Sequence, residues 1–428
     1  MKFLKRVAIA LLFISIVVAG LIGYTLLEPA RSLPPAQEEE QPINTAASAG
    51  KRTGDTAKGI NQVRKDTTQN RDSLSANYSA EAEFRMQKDG SRPIRGNVRR
   101  INIAIIGVDA RMGTNTRHAD ANHILSIVPD SGVIEIISIP RDTPADAGMP
   151  DSSGLNKLTI VHANRGIRAY LSEAARIAGI GRIDYYAELG FSQAMGIIEL
   201  LGHRDSKSTL QVLRSRTGLG GDDFQRCYNQ GQYIRQMILS HFHRATGILG
   251  DLLIRGGLTM VETNMNTDLV KSIISELKEN GFPRDSGAIT VRVRPGRMQN
   301  FKVYDFTDSI TIQRLRNKIE RYNLTRQKKD SSANAKLPDI AGKLENLLSA
   351  AARDTARKPK IAINRLMRYF DQHAWLQVQK QDRREEIRER FADMLFSCWM
   401  RLNKPEEARK VRHAIELEKE LFKAARKN

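Results

Sequence analysis

The stretch RRINIAIIGVDAR, residues 99–111, decides how the rest of the chain is read. Its apolar, largely β-branched run from Ile101 to Val108 suits a strand buried on both faces. The run ends in Asp109, and charged groups just past strand ends are where sheets flanked by helices build their sites. Downstream, HILSIVPDSGVIEIISIPRDT (123–143) holds two further apolar runs around the turn residues Pro129, Asp130, Ser131 and Gly132. Helical spacing follows in IRAYLSEAARIAGI (167–180), a strand in DYYAELGF (184–191) and a helix in SQAMGIIELLG (192–202). Residues 212–216 read as another strand, and Asp222 or Asp223 is placed to cap a helix over 224–242. A helix over 268–280 and a strand over 288–295 complete the alternation. This order predicts an α/β fold, an α-β-α sandwich around a central mixed sheet.

The flanks differ in character. Residues 1–6 include Lys2, Lys5 and Arg6, and 7–27 contain no charged residue. About 20 apolar residues span a hydrocarbon core. The basic flank predicts a cytoplasmic N-terminus at 1–6, a retained transmembrane anchor at 7–27 and an exported remainder; a cleaved signal peptide is the competing reading. Residues 28–98 are poor in large apolar side chains and read as a flexible tether. The sandwich is expected over 99–325, a linker over 326–336 and an all-helical extension over 337–428, with one hairpin resembling a tetratricopeptide repeat around NKPEEA (403–408). The extension carries more Lys and Arg than Asp and Glu, and its protein partner is not identified by sequence. The whole chain has a formal charge of +20. Its cations are spread without a dense run, and an exported domain argues against a nucleic-acid partner. Cys227 and Cys398 are too few and too far apart for a zinc cage or a disulfide framework.

Chemistry concentrates in VLRSRTGLGGDDFQRCYNQ (212–230). On a strand Arg214 and Arg216 would share a face, and on the following helix Arg226 and Gln230, four apart, share another. A glycine-rich turn brings the two elements together near a helix N-terminus, so the guanidinium forks would converge on an anion. The alternative is a surface strand whose arginines pair with Asp222 and Asp223. Asp109 and Asp120 flank neighbouring strand ends, which suits a hard divalent cation that completes its shell with water and phosphate oxygens. Arg141 and Asp142 directly follow the strand over 133–139.

IAIIGVDAR, RHAD, ILSIVP, IEIISIPRDT, NKLTIVHANRG, IDYYAELGF and LRSR…DDFQR…Q, in this order, resemble the motifs of the LytR-CpsA-Psr family of cell-wall glycopolymer phosphotransferases over about residues 102–236. The resemblance implies a magnesium-dependent ligase, with manganese as the alternative ion, anchored in the bacterial cytoplasmic membrane with its catalytic domain extracytoplasmic. It would move an anionic glycopolymer from a polyprenyl diphosphate carrier to a peptidoglycan sugar hydroxyl. Asp109 and Asp120 would hold the metal. Arg141, Arg214, Arg216 and Arg226 would clamp the diphosphate, Lys157 and Gln230 would add contacts, and Asp223 would orient an arginine. The lipid tail would lie in an apolar channel of the sandwich. Asp120 and Asp142 are the candidates to orient or deprotonate the hydroxyl, with Arg141 and Arg226 stabilising the leaving charge. Where the family has an arginine before its second metal aspartate this chain has His118, with Arg117 beside it, so both join the candidate diphosphate contacts. The segment between IIELLG and LQVLRSR lacks the family's usual hairpin. A polyprenyl diphosphate hydrolase and a non-catalytic lipid-phosphate or cell-wall scaffold are the rival readings.

Overall fold

The structure, a computed structural model, describes residues 98–427 except 111, 113–116, 204, 220–221, 248, 297–299 and 328–338. The expected anchor at 7–27, the tether up to 97 and most of the expected linker lie outside the described residues. Among the described residues no helix is long and apolar enough to cross a membrane.

Six strands form one mixed sheet in the order β5-β4-β1-β2-β3-β6. They are β1 (Ile101–Val108), β2 (Ala119–Val128), β3 (Val133–Ser138), β4 (Tyr185–Leu189), β5 (Glu262–Thr263) and β6 (Ile289–Val293). β2 runs antiparallel to both β1 and β3, whereas β4 is parallel to β1 and β6 to β3. One edge of the sheet therefore gathers the C-terminal ends of β1, β3, β4 and β6 and the start of β2. Asp109, Asp120 and Arg141 sit along that edge because topology puts them there.

The opening run alternates as a doubly buried strand must. Ala104, Ile106 and Val108 join the core under helix α1 (Leu158–Ala178), while Ile101 and Ile103 face the opposite layer. That layer contains α2 (Phe191–Leu200), α3 (Ser206–Arg214), α4 (Asp223–Ala245), α5 (Gly250–Leu258), α6 (Thr267–Glu279) and α7 (Ser309–Gln327). α4 crosses the sheet at Gly231, where a Cβ would stand 2.6 Å from Ser138 Oγ and 2.7 Å from Val291 Cγ1, so only glycine lets the helix lie this close.

Two sequence expectations change. Residues 212–216 are not a strand: 212–214 form the last turn of α3, and 215–216 follow it. Asp205 caps this helix by accepting from Ser208 N at 3.0 Å, and Leu210 and Leu213 bury its inner face at helical spacing. The cap lies upstream of the window that suggested period two. α1 begins at Leu158, earlier than its periodicity indicated, and is interrupted at Gly166, whose φ of 77° is not helical.

Helices α8 (Ile340–Thr355), α9 (Pro359–Asp371), α10 (Gln381–Arg401) and α11 (Pro405–Lys427) form the expected all-helical region. Their core is continuous with that of the sandwich. Leu376 fills the space left by Gly196 of α2, where a Cβ would come within 2.6 Å of its Cδ1. Polar ties reinforce the seam: Arg384 NH1 donates to Glu199 at 2.7 Å and Gln377 Nε2 to Ser192 Oγ at 2.7 Å. Behind them the fully buried Glu418 accepts from Trp375 Nε1 at 2.9 Å and Arg388 NH1 at 3.4 Å, and contacts His373 Nδ1 at 2.7 Å. His373 Nε2 in turn reaches the carbonyl of Thr259, at the end of α5, at 2.8 Å.

Burial by itself would raise the Glu418 carboxyl, but His373, Arg388 and Trp375 outweigh it and hold its pKa below the ordinary value. The resulting stability is present above the unfolded carboxylate's pKa of about 4.3 and is lost as pH falls through the depressed folded value. Glu418→Ala takes from buried Arg388 one of its two carboxylates, leaving Glu389, and takes from Trp375 and His373 their buried partner; it should cost about 3–5 kcal/mol in denaturant unfolding at neutral pH. The deficit relative to wild type should shrink in acid. A deficit independent of pH would rule out the charged contacts as its source.

Candidate active site

Four arginines and a lysine converge on the strand-end edge, interleaved with four aspartates. Arg141 NH1 lies 2.6 Å from Asp120 Oδ1. Asp142 stands among Arg141 (3.7 Å), Lys157 (3.6 Å) and Arg216 (3.3 Å). Asp223 bridges Arg216 at 3.2 Å and Arg226 at 2.6 Å, and Arg214 lies 3.5 Å from Asp109. The convergence expected from the sequence is therefore present, by a different route. Arg214 closes α3 and Arg216 follows it, while Asp222 caps α4 by accepting from Phe224 N at 3.0 Å. Arg226 and Gln230 do share one face of α4, and both border the same cavity.

That cavity, about 410 Å³, runs from the charged mouth into the layer between sheet and helices. Ile105, Val108, Leu189, Phe191, Ala194, Ile197, Ile198, Leu210, Leu213 and Ile234 give it apolar walls, and Asp109, Asp120, Arg141, Arg214, Arg216 and Arg226 ring its opening. A space with hydrocarbon walls and a cationic rim fits an amphiphile with an anionic head.

The electrostatics are those of a pre-set anion clamp. Arg226 is 5% exposed, and its Nε and the Nε of Arg141 make no hydrogen bond. Buried guanidinium donors left over in this way favour an arriving oxyanion. Burial pulls against the Arg141 charge, but Asp120, Asp142 and Asp223 raise its pKa above the usual guanidinium value. Burial raises the Asp223 carboxyl above its ordinary range despite Arg226 beside it. Five cations face four carboxylates, so the cage keeps one net positive charge.

Asp109 and Asp120 border the mouth together, one on each side of the β1–β2 connection, with Asp109 N bonded to His118 O at 2.8 Å. Among the described residues no cluster of three or more His, Cys, Asp or Glu forms a metal-ligand set. Two carboxylates at the opening still suit a hard cation that takes its remaining ligands from phosphate and water.

Asp142, Lys157 and Asp223 join the cage through its ion pairs without lining the cavity, and two expected contacts join neither. His118 is not among its lining residues, and Arg117 turns to Glu188 at 3.3 Å and to Glu262. His162 Nε2 meets the same Glu188 at 2.8 Å, so this group is an internal ion-pair cluster. Conversely, His123 does reach the cavity. It lies between Ser138 Oγ (2.9 Å) and Gln230 Oε1 (3.2 Å), and burial lowers its pKa to about 4, which keeps it neutral near pH 7. Gln230 Nε2 then donates to Leu213 O at 3.0 Å, tying α4 to the end of α3. Period two would have found His123, since it shares a face of β2 with Leu125 and Ile127. Phe191, beneath the Arg214 guanidinium at 5.0 Å from ring centroid to Cζ, carried no polar signal in the sequence.

Residues 60–203 match the LytR_cpsA_psr family, so the family resemblance read from the motifs is shown over that segment, of which 60–97 lie outside the described residues. The matched segment contains Asp109, Asp120, Arg141, Asp142 and Lys157 and ends before α3. Among solved structures, Bacillus subtilis TagV is 14% identical, with 53% of this chain and 98% of TagV covered at a TM-score of 0.36. TagT bound to LIIa-WTA is 14% identical over 54% of this chain and 94% of its own, at 0.34. A Streptococcus agalactiae protein is 14% identical over 52% and 88%, at 0.35. No curated protein matches.

Inorganic pyrophosphate, a diphosphate without a tail, should raise the melting temperature of the full chain by about 2–8 °C at saturation, because it binds only the folded cage. Arg226→Ala and Arg141→Ala should each remove most of that rise in differential scanning fluorimetry. An unchanged rise in both variants would place the anion elsewhere.

Proposed function

We propose that this chain is a membrane-anchored phosphotransferase that moves an anionic glycopolymer from a polyprenyl diphosphate to a peptidoglycan sugar hydroxyl. The observation that carries the reading is the union of an apolar cavity with a rim of four arginines at one sheet edge. A polyprenyl diphosphate has that same division into hydrocarbon tail and anionic head. The family match over 60–203 supports the reaction class.

In this reading the tail enters between β1, α2 and α4, and the diphosphate meets Arg141, Arg214, Arg216 and Arg226. The acceptor hydroxyl oxygen bonds to the phosphorus that carries the glycan. The bond from that phosphorus to the bridging oxygen breaks, and polyprenyl phosphate leaves with the electron pair. Arginine forks already aimed at the opening stabilise the charge on the leaving oxygen without reorganising. Asp142, the more exposed of the two candidate bases, takes up or orients the hydroxyl proton; Asp120 is held at 2.6 Å by Arg141 and positions it. Asp109 and Asp120 would hold Mg²⁺, which supplies positive charge that a cage with one net cation lacks against a diphosphate. The bond energy resides in the diphosphate, so no nucleotide is required.

The test uses the full chain in detergent with a polyprenyl diphosphate glycan and peptidoglycan fragments, read by mass spectrometry. A new phosphodiester should form with Mg²⁺, and Arg226→Ala should slow it by about 10²–10³-fold. Polyprenyl phosphate released without a phosphodiester would instead make the chain a hydrolase, and lipid binding with neither product would make it a scaffold. Orientation is tested separately by fusing alkaline phosphatase after Arg99. An active fusion in cells supports the anchor at 7–27, and an inactive one contradicts it.

A further inference from the structure

The apolar cavity and its charged rim suit a tail and a diphosphate, but they offer no surface to the glycan joined to that diphosphate. A second cleft, about 900 Å³, opens from the same mouth. It shares Asp109, Phe191 and Arg214 with the first cavity. Its far wall comes from the C-terminal helices, through Lys343 and Asn346 of α8 and Tyr369 of α9. Lys343 and Asn346 are exposed and Tyr369 is half-buried. Among the described residues the Lys343 ammonium, the Asn346 carboxamide and the Tyr369 hydroxyl hold no partner.

We infer that this cleft is a saccharide subsite holding the donor's anionic glycan next to its diphosphate. The inference rests on the transferase reading above. The glycan is covalently joined to the head group, so it must leave the cage through an opening that shares the cage's walls. The cleft does so at Arg214, whose guanidinium rests on the Phe191 ring and stands between the two spaces. An amide, a phenol and an aromatic face are the groups that recognise sugar hydroxyls and ring surfaces, and Lys343 adds a charge that favours phosphate or carboxylate substituents. A third cleft, about 990 Å³, also touches the mouth at Val108 and Gly190, but none of the cage's arginines or aspartates lines it, and its Glu188, Glu262 and Glu407 are paired with Arg117 and Lys410. A glycan joined to a head group held by Arg214 reaches the cleft that shares Arg214, where the Lys343 charge stands unpaired among the described residues, so it belongs on the Lys343 side.

The test compares the full-length wild type with Lys343→Glu and Asn346→Ala, both at exposed positions where the fold has little to lose. Each is assayed with a donor carrying a long anionic glycan and a donor carrying a single sugar. The KM for the long donor should rise about three- to tenfold in each variant, and by clearly more than the KM for the short donor. Calorimetric titration with the same glycan phosphate freed of its lipid should show binding to wild type and a comparable weakening in Lys343→Glu. Equal shifts for both donors, or none, would overturn the subsite. A raised acceptor KM with donor KM unchanged would give the cleft to the acceptor and also overturn it. Should wild type turn over neither donor, the transferase reading fails, and the titration still decides the subsite by itself.

Discussion

Keeping like charges together at one opening is the constraint on which this structure depends. Two unit charges about 4 Å apart repel by roughly 4 kcal/mol at the effective dielectric of a protein surface. Four guanidinium groups gathered at one mouth are tolerable only because carboxylates stand between them. Asp223 is the central one, reaching Arg216 and Arg226 at once, and the 5%-exposed Arg226 would otherwise be a buried, uncompensated charge. The topology supplies the rest. Because β2 runs against β1 and β3, the end of one strand lies beside the start of the next, and Asp109, Asp120 and Arg141 meet without long-range loops. An anion clamp assembled from strand ends and a helix N-terminus is rigid before its ligand arrives, so little ordering cost remains to be met on binding.

A cavity with hydrocarbon walls also needs something to stop its walls from closing. α2 supplies much of one wall through Phe191, Ala194, Ile197 and Ile198, and its other side is held by the C-terminal helices. Leu376 against Gly196, Arg384 on Glu199 and Gln377 on Ser192 all act on α2 from outside. The C-terminal region thus fixes the position of a channel wall as well as adding a surface beside the mouth. The buried cluster around Glu418 anchors this arrangement to α5 through the contact of His373 with Thr259. The width of the channel is therefore set by residues at opposite ends of the described chain.

Much of this was written into local sequence. The doubly buried β1, the Pro129–Gly132 turn, the Asp222 cap and the shared face of Arg226 and Gln230 each follow from signals within a few residues. The α3 segment resembles a strand locally because two apolar positions in a short window fit either period, and the decisive Asp205 cap stands outside it. The arginines still converged, since both readings end at the glycine-rich turn that leads into α4. What no local pattern carried was the docking of the C-terminal helices. Leu376, Gly196 and Glu418 acquire their roles only from contacts beyond their own elements, and a glycine or glutamate in a helix gives no notice of a partner on another element.

Arg117 shows how a cation near the right position can serve a different end. It sits beside His118, where the resemblance leads one to look for an arginine on the diphosphate. Its guanidinium instead closes on Glu188 at the end of β4 and Glu262 in β5. Glu188 is 3% exposed and already meets His162, and burying a carboxylate is costly unless it is paired. Arg117 supplies that pairing and pins the edge of the sheet beside the seam with the C-terminal helices. With Arg117 committed there and His118 outside the cavity, the clamp is left to Arg141, Arg214, Arg216, Arg226 and Lys157. Each of these faces an aspartate that an incoming oxyanion must compete with, and that competition sets how tightly the head group is held and how readily it is released.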